Sequence, residues 1–172
     1  MRNSDVRRDI RLAGQVKRYS TWPVLNQQST GEHSWQVLRI YIDIFGPPSP
    51  EVCVYIVHHD SAELTVGDPP FPLKRDNPDL KEIYDRLEST AVIEMRGEAL
   101  PVLSREEMLR IKICDLIEMW EYGVQEHMMG NRFAEPIISD TMENFMDLAR
   151  SLSEDEFMSV RKHVTRRMEI YA

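Results

Sequence analysis

Apolar residues recur along this chain at three- and four-residue intervals and rarely alternate, a spacing that builds helices with one buried face. Over 5–19, Val6, Ile10, Ala13 and Val16 keep that spacing, and Ser20-Thr21-Trp22-Pro23 ends it because the residue before a proline avoids the α region. Ser29-x-x-Glu32 matches a capping box opening a helix to about Phe45, where Gly46-Pro47-Pro48 stops it. Ser49-Pro50 caps and opens a helix to about Thr65, and Asn77-Pro78 opens another to about Glu94. The stretch between them, Gly67 to Asp76, is a proline-rich loop of the kind that often carries function. Ser104-x-x-Glu107 caps a long helix through Trp120, with Gly123 a weak interruption or a kink. Pro136 opens a further helix, and Ser153-x-x-Glu156 caps the last, through Arg167. About seven helices with short connections predict a compact all-α fold forming a single domain over 1–172.

Composition narrows the class. A chain of 172 residues with 42% hydrophobic and 29% charged residues is an ordinary globular composition, long enough to bury roughly 70% of its unfolded surface without staples. The net charge of −8 argues against a nucleic-acid polymer as partner. No apolar run reaches the roughly 20 residues a membrane span needs, since Asp43 interrupts Val37–Phe45. The charged start, Met1 to Arg11, lacks the apolar core of a signal peptide, so the expected location is the cytoplasm. Cys53 and Cys114 form no C-x-x-C pair and read as buried free thiols.

The candidate chemistry sits at 51–68, EVCVYIVHHDSAELTVGD, which carries Glu51, Asp60, Glu63 and Asp68 and no Lys or Arg. Acids on an apolar helix are costly unless a cation neutralises them. His59 and Glu63 are four residues apart and so share one helix face, and Asp60 can reach the same ion as His59. Imidazole with carboxylate suits a divalent transition metal better than calcium. Taken alone, the His-Asp pair reads as a half-buried histidine beside its neighbour. His33 in the first turn of another helix and Asp115, flanked by apolar residues within 112–117, change the balance, because a buried acid needs a partner. Two histidines and two aspartates leave positions open for water and phosphate, as a hydrolase requires.

E-H-S at 32–34, H-D-S-A-E-L-T-V-G-D at 59–68 and K-I-C-D at 112–115 together resemble the HD-domain phosphohydrolases, in particular their 5′-deoxynucleotidase branch. Both the internal spacings and the order of the three strings match, over about residues 15–125. The resemblance implies an HD helical bundle. It implies His33, His59, Asp60 and Asp115 as ligands of a divalent metal (Zn, Co, Mn or Mg), and Glu63 and Asp68 as catalytic acids. A narrower resemblance is to the phage members that cleave dATP to deoxyadenosine and triphosphate, in phages that replace adenine with 2-aminoadenine. If this chain is phage-encoded, the cytoplasm is the host's. The aromatic-proline turn Trp22-Pro23-Val24 precedes the first ligand here too, and Lys74 follows His59 by fifteen residues. Arg105 and Lys112 share a helix face, so Lys74, Arg105 and Lys112 are candidate phosphate cations. Trp22, Val24 and Pro72 are candidate walls for sugar and base.

One position departs from that pattern. Arginine often stands before the tryptophan, and here it is Thr21; either Arg18 supplies the charge or the phosphate is held differently. The expected reaction is hydrolysis of a 2′-deoxynucleoside triphosphate, dATP first. A 5′-monophosphate nucleotidase and a catalytically silent nucleotide-binding module are the alternatives. His58 reads as a packing residue and His127 and His163 as solvated, while Met108, Met119, Met142 and Met146 fall in apolar stripes. The helices over 136–170 carry no motif and are candidates for contacts in a homo-oligomer, dimer or higher.

Overall fold

The computed structural model describes residues 9–67 and 77–171. Among these the regular elements are α-helices: α1 (Ile10–Ala13), α2 (Thr30–Phe45), α3 (Pro50–His58), α4 (Glu63–Val66), α5 (Pro78–Arg96), α6 (Arg105–Met128), α7 (Glu135–Ala149) and α8 (Glu154–Tyr171). A 3-10 turn at Arg132–Ala134 precedes α7, and one isolated bridge pairs Lys17 with Ser29. The fold class is therefore the all-α one expected.

The backbone N–H of the cap serine reaches the glutamate three residues on at all three expected helix starts. Ser29, Ser104 and Ser153 each donate a backbone N–H to the carboxylate three residues on, at 2.7, 2.8 and 3.2 Å. These interactions are local, which is why they are legible as four-residue strings. Two expected helices are shorter than their spacing predicts. The helix over 5–19 survives among the described residues as the single turn α1, because 16–18 turns to an extended partner: Thr30 N–H donates to Val16 O (2.9 Å) and Arg18 N–H to Gln28 O (3.0 Å). The helix expected to run from 49 to 65 ends at His58, and α4 begins only at Glu63.

The described residues fall into two compact units. The first draws on 9–23, 27–34 and 54–102, and its core joins Ala62 to Ala91 and Val92 of α5, with Val66, Met95 and Leu100 against them. The second draws on 24–26, 35–53 and 103–171. Here α6 packs along α7. Gly123 lies at that contact: a Cβ there would come within 3.1 Å of Ile138 Cγ1 and 3.3 Å of Ile137 Cγ2. The helix runs on through Gly123 to Met128, so this glycine permits close approach where the sequence suggested an interruption. Trp120 meets Phe145 and Tyr171 edge-on, at 6.2 and 6.4 Å between centroids.

His163 corrects an expectation. Its side chain is only 8% exposed and its Nε2 lies 3.1 Å from Glu121 Oε1, where Arg39 (2.6 Å) and Arg167 (3.0 Å) also converge. Burial pushes the Glu121 carboxyl up, but the His163 hydrogen bond and the two arginine charges outweigh it and hold the group below its ordinary value. Nothing in the local sequence around 163 signals a partner 42 residues away.

Candidate metal centre

Ser29 also accepts the Glu32 N–H at its Oγ (3.2 Å), completing the capping box that places His33 in the first turn of α2. His33 is fully buried. The chain leading into this turn is held tightly against α1: Gly31 N–H donates to Gly14 O at 3.0 Å, and Thr30 Oγ to Ala13 O. A Cβ on Gly31 would stand 2.9 Å from the Gly14 carbonyl oxygen, a backbone atom that cannot swing aside. Gly31→Ala is therefore expected to cost about 1–3 kcal/mol. The check is thermal unfolding, where a loss of that size lowers Tm by roughly 2–12 °C at this length.

His59 and Asp60 lie in the turn after α3. There the chain tightens into three-residue bonds, Ser61 N–H to His58 O (3.0 Å) and Glu63 N–H to Asp60 O (3.1 Å). The His59 Nδ1 lies 2.7 Å from Ile56 O, and a carbonyl only accepts, so Nδ1 carries the proton. That side-chain bond competes for a carbonyl that a continuing helix would use four residues on. His59 and Glu63 therefore do not share a helix face; the turn aims His59 instead.

The outcome is a trio of side chains whose donor atoms converge closely enough to hold one metal ion. His33 Nε2 lies 3.6 Å from Asp60 Oδ2, and His59 Nε2 lies 3.4 Å from Asp60 Oδ1. The imidazole rings are 5.4 Å apart, and one donor atom from each of the three residues falls within 4.8 Å of the others. The buried Nε2 of His59 makes no hydrogen bond among the described residues and faces a carboxylate oxygen of Asp60. A ring nitrogen and a carboxylate oxygen 3.4 Å apart are placed to share a cation or a proton. Two imidazoles and a carboxylate fit a divalent transition metal, with the Ile56 carbonyl orienting one imidazole from behind. Arg18 Nη1 also reaches Asp60 Oδ2, at 2.6 Å, which brings a guanidinium to the edge of the same group.

No family model matches the chain. Two curated relatives do: the 5′-deoxynucleotidase YfbR of Salmonella typhi, 24% identical over 170 residues that cover 84% of this chain and 85% of that protein, and a 5′-deoxynucleotidase of Vibrio atlanticus, 25% identical over 169 residues that cover 84% and 87%. Among solved structures, the HD phosphohydrolase DatZ of cyanophage S-2L, bound to dA and one catalytic Zn²⁺ ion, superposes with a TM-score of 0.74 over 95% of each chain at 21% identity. The chain has the HD-domain helical fold of that structure.

Within this HD fold the remaining expected residues are placed as follows. Glu63 opens α4, half-buried, one turn beyond His59. Asp68, Pro72 and Lys74 lie outside the described residues. Trp22 is 39% exposed, its N–H bonded to Tyr19 O (3.0 Å), and Tyr19 takes a left-handed φ of 57° that turns the chain ahead of it. Val24 is half-buried. Asp115 sits on α6 in the second unit, where Lys112 Nζ donates to its Oδ2 at 2.6 Å, and Arg105 is exposed at the start of that helix. His58 stays out of the trio: its Nδ1 lies 3.3 Å from Ser61 Oγ, and burial first, then the Arg96 charge, lowers its pKa. Among the described residues no helix is long and apolar enough to cross a membrane.

Proposed function

We propose that this chain is a metal-dependent phosphohydrolase of 2′-deoxynucleotides, with residues 1–172 acting as one HD domain. The observation that carries the reading is the trio itself, two imidazole Nε2 atoms turned onto the two oxygens of one carboxylate. The deoxynucleotidase relatives and the dA-bound structural neighbour support the same substrate class.

His33, His59 and Asp60 hold the metal, and Asp115 enters as fourth ligand on its K-x-x-D match alone. When bound, a divalent cation supplies Lewis acidity, making hydroxide available near neutral pH and withdrawing charge from a phosphoryl oxygen. Glu63 and Asp68 manage protons at the attacking water and the departing 5′-oxygen. Arg18, already at the Asp60 carboxylate, takes the phosphate-facing charge that Thr21 lacks, with Lys74, Arg105 and Lys112 as further phosphate cations. Trp22, Val24 and Pro72 line sugar and base. A homo-oligomer through α7 and α8 belongs to the same proposal, supported by the exposed Met158, Met168 and Ile170 on α8.

Within this class the favoured substrate is dATP, cut to deoxyadenosine and triphosphate. Adenine carries only hydrogen at C2, whereas guanine and 2-aminoadenine carry an amino group there. An aliphatic wall at Val24 rejects that group by crowding it and leaving its donors unpaired, worth about 1–3 kcal/mol. The test is a product assay over all dNTPs and dNMPs with Mn²⁺, Co²⁺ or Zn²⁺. Triphosphate and deoxyadenosine from dATP, with dGTP slower and the gap narrowed by Val24→Ala, is the expected result. Phosphate released from dNMPs alone establishes the 5′-nucleotidase instead, and no turnover of any nucleotide establishes a silent module.

A further inference from the structure

Arg18 reaches the metal centre from an anchored stretch of backbone. Its N–H donates to Gln28 O at 3.0 Å, its carbonyl accepts the Gln27 side-chain N–H, and Lys17 beside it is bridged to Ser29. The side chain runs from this anchor into the trio, where Nη1 meets Asp60 Oδ2 at 2.6 Å. That oxygen is also the one that faces His33 Nε2, at 3.6 Å. A cation held by His33 and Asp60 therefore shares one oxygen with a guanidinium. The pair is largely removed from solvent, with the Arg18 side chain 11% and that of Asp60 19% exposed, so water and salt screen these charges weakly.

Charge decides the consequence. Before metal arrives, the guanidinium meets the negative charge of Asp60, as a carboxylate removed from water requires. A divalent cation brings further positive charge to the same carboxylate, and the two cations repel each other at close range. A phosphoryl anion beside both supplies the missing negative charge. Arginine, with five N–H donors in a planar fork, suits a phosphate as well as it suits a carboxylate. We infer that Arg18 couples metal to substrate: it weakens metal binding at a centre without substrate and strengthens it once a phosphoryl anion is present. By linkage, metal then tightens the anion by the same factor. A partner that merely oriented Asp60 would act in the opposite sense, since its loss weakens metal binding roughly 10–100-fold. The inference rests on the proposed metal-dependent reading, because the trio must take the ion for Arg18 to act on it.

The test is metal titration with and without inorganic phosphate, corrected for the metal that phosphate itself binds. Mn²⁺ is followed by the EPR signal of the free ion, or Co²⁺ by its visible bands. Phosphate is expected to lower the wild-type metal Kd roughly fivefold or more. Arg18→Gln should bind metal several-fold more tightly than wild type without phosphate and lose most of the phosphate effect. Arg18→Met, which keeps the apolar stem without the charge, carries the same expectation if Arg18→Gln does not melt cooperatively. Metal binding no tighter than wild type in the folded variant, or a phosphate effect of wild-type size retained in it, overturns the inference while the metal-dependent reading stands. So does a wild-type Kd that phosphate leaves unchanged. A wild-type chain that takes up no divalent metal overturns both. Metal uptake with the expected phosphate effect but no turnover of any deoxynucleotide overturns the deoxynucleotidase reading alone.

Discussion

Asp60→Ala is expected to abolish metal uptake and deoxynucleotide hydrolysis together. Asp60 is the single carboxylate of the trio: one oxygen faces His59 at 3.4 Å, and the other faces His33 at 3.6 Å and Arg18 at 2.6 Å. Alanine leaves two imidazoles beside a guanidinium with no anion among them, a site that repels a divalent cation. The loss of turnover should exceed the roughly 10–100-fold that removing a ligand's outer-shell partner costs. Metal content by plasma mass spectrometry, read beside turnover, checks both halves. An Asp60→Ala protein with stoichiometric metal and full activity would mean that the trio is not the centre.

Glu63→Ala should separate catalysis from metal binding. Glu63 opens the short α4, with its backbone N–H on Asp60 O (3.1 Å) and its carbonyl accepting the Gly67 N–H (2.9 Å). Those backbone bonds survive loss of the side chain, so fold and metal should both persist. Turnover is expected to fall on the order of 10²–10⁴, the usual contribution of a general acid or base. Wild-type turnover in this variant would leave proton transfer to Asp68 or to solvent.

The sequence shows most where the determining interaction is short in range. The three Ser-x-x-Glu boxes begin α2, α6 and α8 within one residue of the expected place, because each closes over four residues. The start of α5 at Pro78 is legible because a proline's fixed φ suits the first helical position, and Gly97, at φ 82°, terminates that helix. The helical spacing of 5–19 misled because Val16 and Arg18 find backbone partners at 28–30, a pairing that periodicity does not encode. The break at His59 rests on one side-chain bond to Ile56 O. Motif spacing could single out His33, His59 and Asp60, but only the fold shows how Asp60 sits between the two imidazoles and that Arg18 joins it. Glu126 left one trace in the sequence, an acid in the last turn of a helix; besides Asn131 five residues on, its partners Leu25 and Asn26 stand about a hundred residues upstream.

Hydrolysis of dATP in ¹⁸O-labelled water, with metal supplied and products resolved by mass, tests the central claim most directly. Attack by water at the α-phosphorus with release of the 5′-oxygen places one ¹⁸O in triphosphate and none in deoxyadenosine. That labelling should disappear when metal is chelated and return when it is restored. Label in deoxyadenosine, cleavage to dAMP and pyrophosphate, or labelled product that persists under chelation would contradict the account.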